Sequence, residues 1–125
     1  RMQGGPFGAP PRGKVGSPEA SAIASLRTLV VSEEQYKNTD GMGMYAPLGV
    51  LNTAVPPFID SVLSSGRKNG YSFVGAYDAG TNYTFHATPL IRGKTGNRNF
   101  FVDSSGVIRY NATGGTATSN SPPIE

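Results

Sequence analysis

The stretch Ser17–Lys37, SPEASAIASLRTLVVSEEQYK, decides the fold. Ser17 can cap free helical amides, Pro18 suits the first helical position, and Glu19 sits where the positive end of the helix dipole favours an acid. No Gly or Pro follows before Gly41. Ile23, Leu26 and Val30 recur at helical spacing, flanked by Ala20, Ala24 and Leu29. They predict an amphipathic helix of about five or six turns, with Ile23, Leu26 and Val30 as its core-facing stripe. Asn38-Thr39-Asp40-Gly41 stops it. Glu33 and Glu34 fall where the stripe should continue. Two readings stay open for them: a solvated face with Glu33 supported by Lys37 one turn on, or an ion pair with Arg27 or Lys37 of a neighbouring subunit.

Downstream the pattern changes. Residues 40–57 read as loop, with a short helical piece near Leu48–Asn52. Pro56-Pro57 opens a second short helix carrying Phe58, Ile59, Val62 and Leu63 on one side, with Gly66 as its stop. After Gly70 the period becomes two. Tyr71, Phe73 and Gly75 alternate, as do Tyr83, Phe85 and Ala87, around a hairpin loop at Asp78-Ala79-Gly80-Thr81. Asn99–Asp103 and Val107–Tyr110 flank Ser104-Ser105-Gly106, a second hairpin. The order predicts an α+β fold: a long N-terminal helix covering one face of a roughly four-stranded antiparallel sheet, with a short second helix.

Upstream of the helix, residues 1–16 (RMQGGPFGAPPRGKVG) hold five Gly and three Pro and form a basic arm. Residues 17–111 form the globular domain, and the Ser/Thr/Gly/Pro-rich residues 112–125 a surface tail. The whole chain carries 11 Lys and Arg against 8 Asp and Glu. Arg1, Arg12 and Lys14 lie in the arm, so the body is neutral. That argues against a dedicated nucleic-acid domain and suits close self-association.

With no Cys in the chain, disulfide frameworks, iron–sulfur clusters and thiolate zinc sites are excluded. One His removes polyhistidine metal sites. No stretch approaches the ~18 apolar residues of a membrane span. The sequence points to no cofactor and no enzyme activity. His86 reads as a solvated strand residue, because Asp103, Ser104 and Ser105 are explained by turn chemistry. Gly93-Lys94-Thr95-Gly96 lacks the upstream Gly and the strand–helix context of a phosphate loop. Arg92, Lys94, Arg98 and Arg109 near Tyr83, Phe100, Phe101 and Tyr110 would suit single-stranded nucleic acid only if those aromatics were exposed. Asp40, Asp60 and Asp78 lack calcium-loop spacing. Asn82-Tyr83-Thr84 and Asn111-Ala112-Thr113 match the glycosylation sequon.

Four pieces in order carry a family resemblance: EASAIASLRTL at 19–29, EEQY at 33–36, FIDSVLSSGRKNGY at 58–71 and GNRNFFVDSSGVIR at 96–109. Together they resemble the globular part of bacterial type IV pilin-like proteins and pseudopilins over residues 19–123. The resemblance implies a helix packed on an antiparallel sheet, an extracellular or cell-surface location, and a role as a filament subunit. Members of that family begin with an apolar helical half long enough to span a bilayer, and a glutamate near the mature N-terminus. Here RMQGGPFGAPPRGKVGSP stands in that place, so the expectation is that either that helix was removed or the protein assembles another way. The arm could lie along a neighbour with Met2, Phe7 and Val15 as apolar anchors. Arg12–Val15, free of Pro, could pair with a sheet edge, giving a head-to-tail homopolymer. The alternative is a minor pseudopilin or tip module that binds a secreted substrate, a surface or DNA.

Overall fold

A computed structural model of the chain describes residues 17–53, 57–78 and 82–124. Met2, Phe7 and Val15 of the arm lie outside the described residues. Helix α1 runs Pro18–Asn38, with the Ser17 side chain accepting the Ala20 amide at its start. A 3₁₀ turn spans Val50–Asn52. Helix α2 is only Ser61–Ser64 and is capped by Asp60, which accepts the Leu63 amide at 2.6 Å. Capping by Asp60 moves the start of this helix later than the sequence pattern suggests. Phe58 and Ile59 therefore precede it, and Val62 turns outward at 53% exposure.

Five strands follow: β1 (Arg67–Lys68), β2 (Tyr71–Asp78), β3 (Asn82–Pro89), β4 (Asn99–Asp103) and β5 (Arg109–Asn111). They pair in chain order as one antiparallel meander. The expected four-stranded sheet is thus corrected to five. β1 is two charged residues long, too short to leave any periodic signal.

One face of the sheet carries Tyr71, Phe73, Tyr83, Phe85, Ala87, Phe100 and Val102, all buried. Register puts Phe73 opposite Ala87 and Gly75 opposite Phe85. A Cβ at Gly75 would stand 2.5 Å from the Phe85 ring, so this position must be Gly. α1 lies over this face. Its wholly buried line is Ala22, Leu26, Leu29 and Glu33, with Ser25 and Ser32 beside it. Leu26 is at the centre. Ile23 and Val30 are partly buried and pack on the flank of the core, so the buried stripe is rotated by about one residue from the sequence phase.

The C-terminal segment is a structured surface element. Tyr110 donates its amide to Pro122 and Ile124 to Ile108, each at 3.0 Å, which covers the outer edge of β5. Ala117 is buried, and Ile124 packs against the core. Arg92 and Arg109 donate to the carbonyls of Ala112 and Ser121. Among the described residues no helix is long and apolar enough to cross a membrane.

Candidate functional site

The two ends of α1 are built differently. At its start, Glu19 accepts from the Asn97 amide at 2.7 Å, the Arg98 amide at 3.1 Å and Arg98 Nε at 3.1 Å. Partial burial raises the Glu19 pKa, but these three donors outweigh it and hold the carboxyl below the usual range. Arg98 also lies over the Phe100 and Tyr110 rings. Tyr71 donates its hydroxyl to the Arg98 carbonyl at 2.7 Å, and Asn69 donates to Ser21.

At the other end the chain makes a tight loop. The amides of Gly41 and Gly43 return to the carbonyls of Tyr36 and Lys37. Gly41 is required, because a Cβ there would meet the Tyr36 ring at 2.7 Å. Met42 is held at φ 50°, a left-handed conformation costly for a side chain of this kind, and is 89% exposed. Met42, Met44, Tyr45, Pro47, Val50 and Tyr77 line an open cleft of about 540 Å³, with Asp40 on its wall.

Behind the cleft is a buried polar cluster. Glu33 has no exposed surface. One carboxyl oxygen accepts the Ala46 amide at 2.8 Å, while the other has no partner among the described residues. Burial pushes its pKa up, the Ala46 amide pulls it back, and the charge of Glu34 raises it again, leaving it at about 7. Both open readings of Glu33 are thereby corrected: it is neither a solvated residue nor a subunit-interface ion pair, but a core residue. Glu34 accepts the Tyr45 hydroxyl at 2.8 Å, which with burial pushes that phenol up to about 12. Lys37 sits 5.0 Å over the Tyr45 ring, and Tyr45 meets Tyr83 edge-on at 4.8 Å. The Tyr83 hydroxyl is buried without a partner among the described residues, and burial holds it protonated.

Beside the cleft lies the end of β2. β1 covers β2 only at Tyr71 and Ser72, and Phe73 donates its amide to Gly66 at 2.7 Å. Strand alternation directs the backbone groups of Gly75 and Tyr77 the same way. Among the described residues no strand pairs with them there.

The remaining sequence candidates are not brought together. His86 pairs with Phe101 and meets its ring edge-on at 5.2 Å. Asp103 instead accepts from the Ser105 amide and hydroxyl within its own turn. Gly93 donates to Gly96 in a tight connection between β3 and β4. Tyr83, Phe100 and Phe101 are buried, and Tyr110 is partly buried, so they offer no stacking platform for bases. Asp60 caps α2 and pairs with Lys68 at 2.7 Å, whereas Asp40 lines the cleft. The side-chain Oδ1 atoms of Asn82 and Asn111 accept from the hydroxyls of Ser104 and Thr113.

The methionine-lined cleft and the open strand edge beside it were not legible as a site in the sequence. Met42 and Met44 lie in a stretch that reads only as loop. Glu33 did carry a signal, lying four residues after Leu29 and seven after Leu26, on the buried line. The arrangement offers backbone pairing beside an apolar seat, which is the chemistry of docking an extended segment. The chain matches no family model, and no curated protein and no solved structure is significantly similar to it.

Proposed function

We propose that this chain is a non-enzymatic, structural subunit of an extracellular, bacterial pilin-like filament. Subunits join head to tail, and the contacts include the N-terminal arm with Met2, Phe7 and Val15 as anchors. The observation that supports this most is the asymmetry of the sheet: the β5 edge is covered by the chain's own C-terminal segment, whereas β2 is open beyond Phe73 among the described residues. An open edge is a template for another chain, and natural monomers blunt such edges with Lys, Pro or a cover. Val74, Gly75, Ala76 and Tyr77 supply none of these. A contact between two different surfaces need not close, and a contact that does not close builds a filament. The pilin-like order of a long helix followed by an antiparallel meander agrees with this reading.

Electron microscopy of the purified chain over a concentration series tests it. The expected result is filaments whose number rises with protein concentration. Dispersed monomers throughout would contradict it and favour a minor pseudopilin or tip module, with the methionine-lined cleft as the surface to probe.

A further inference from the structure

Resting on that reading, we infer that the open edge of β2 from Val74 to Tyr77, together with the adjoining cleft, is the seat for the N-terminal arm of a second copy of this chain. The arm adds as a strand antiparallel to β2. Its direction follows from what already occupies the edge: β1 and Gly66 block the Tyr71–Phe73 end, so the arm's N-terminal part must leave past Tyr77.

The register follows from charge and side-chain alternation. With Val15 opposite Val74, Lys14 falls opposite Gly75 and Arg12 opposite Tyr77. Lys14 and Arg12 then exchange backbone bonds with the two residues whose groups face the open edge. Their side chains fall on the same face as Tyr77, toward the cleft wall that holds Asp40. Val15 meets Val74, which is 63% exposed. The arm has three basic residues and no acid, which suits this wall. Pro10 and Pro11, which cannot donate to a ladder, fall beyond the strand end. From Arg12 the five residues back to Phe7 span about 15 Å as an extended chain, enough to bring an aromatic ring toward Met42 and Met44.

The donor is a second copy because the chain's own arm is too short for this register. Pro18 packs beside Gly70. Val15 is three residues from Pro18, a reach of about 10 Å. Gly70 to Val74 along the strand is already about 13 Å, before the step from the helix layer out to the sheet edge.

The chain has no Cys, so introduced cysteines report alone. Val74 opposite Val15 is a non-hydrogen-bonded pair, whose close Cα spacing suits a disulfide. Full-length Val15→Cys is mixed with full-length Val74→Cys under mild oxidation. The expected result is covalent dimer in at least about tenfold excess over the control mixture of Val15→Cys with Val31→Cys, because the seat raises the effective concentration of the pair. Lys14→Pro added to the arm should remove that excess by deleting the amide that faces Gly75, whereas Lys14→Ala should keep most of it. Dimer no more abundant than in the control would overturn the seat. So would an intramolecular bond in the Val15→Cys/Val74→Cys double variant with no dimer in the mixture. Microscopy of the wild-type chain separates this from the filament reading. Filaments without the specific crosslink keep the filament and overturn the seat, and the crosslink without filaments supports the seat and overturns the filament.

Discussion

The start of α1 and its end are held by opposite means. At the start, Glu19 takes three donors, Tyr71 and Asn69 find partners, and the polar groups are spent on one another. At the end, among the described residues, Glu33 keeps an oxygen without a partner, Tyr83 keeps a hydroxyl in the same state, Met42 stands exposed in a left-handed conformation, and no strand pairs with the neighbouring edge of β2 beyond Ser72. The first end is complete within one chain. The second, on the proposed reading, is the surface that another chain completes. The proposed filament uses this inequality, because two ends equally closed would leave nothing to join.

The comparison can be broken by substitution, starting with the largest effect. Leu26, wholly buried between the two ends, sets the scale: Leu26→Ala should cost about 2–5 kcal/mol by denaturant unfolding, and a cost below about 1 kcal/mol would mean the helix phase is wrong. Glu33 comes next. Its folded pKa, about 7, lies above the ordinary value of 4.5, so the native state holds its proton more tightly than the unfolded chain does. The stability this group adds is whole below about pH 4.5 and is lost as pH rises through about 7. Stability should therefore fall between pH 5 and pH 8 by up to about 3 kcal/mol, and Glu33→Gln should flatten the curve. A wild-type protein equally stable at both pH values would break this account of the second end.

The first end predicts the opposite sign at lower pH. Glu19 and Asp60 are both held below the usual carboxylate range, Glu19 by its three donors against burial and Asp60 chiefly by Lys68. Their contributions are present above the ordinary carboxylate pKa and are lost as pH falls through their lowered values. Glu19→Ala should cost about 1–3 kcal/mol at pH 7, read from the shift in the urea midpoint, because it strands two backbone amides and a guanidinium. The smallest effect is at Met42. Met42→Gly should stabilise by up to about 1 kcal/mol by relieving the positive φ, while removing a side chain from the cleft and weakening self-association. Loss of stability in that variant would mean the methionine packs at home rather than outward.

The sequence reveals the closed features of the molecule better than the open ones. Ser17, Pro18 and Asn38 mark α1 correctly because caps and breakers act locally. The hairpin of β2 and β3 is legible because alternation runs through eight paired positions, and that of β4 and β5 because Ser104-Ser105-Gly106 reads as a turn, although its second strand is Arg109–Asn111 rather than Val107–Tyr110. β1 is not, since Arg67 and Lys68 are placed by the turn at Asn69–Gly70 and by β2 rather than by any pattern of their own. The buried carboxylate of Glu33 is only partly legible, for a different reason: its spacing from Leu26 and Leu29 puts it on the buried line, yet its residue type argues against burial. Hydrophobic periodicity treats every Glu as surface, and only the amide of Ala46, thirteen residues on, makes its burial tolerable. The cleft depends on where Tyr77 ends up relative to Met42 and Met44, a long-range contact that no local pattern encodes.

The most direct measurement compares the full chain with a version starting at Ser17, following unfolding and filament formation together. The account predicts the same unfolding midpoint for both, filaments only from the full chain, and a monomer from the shorter one at every concentration. Filaments that form equally well without residues 1–16 would contradict it.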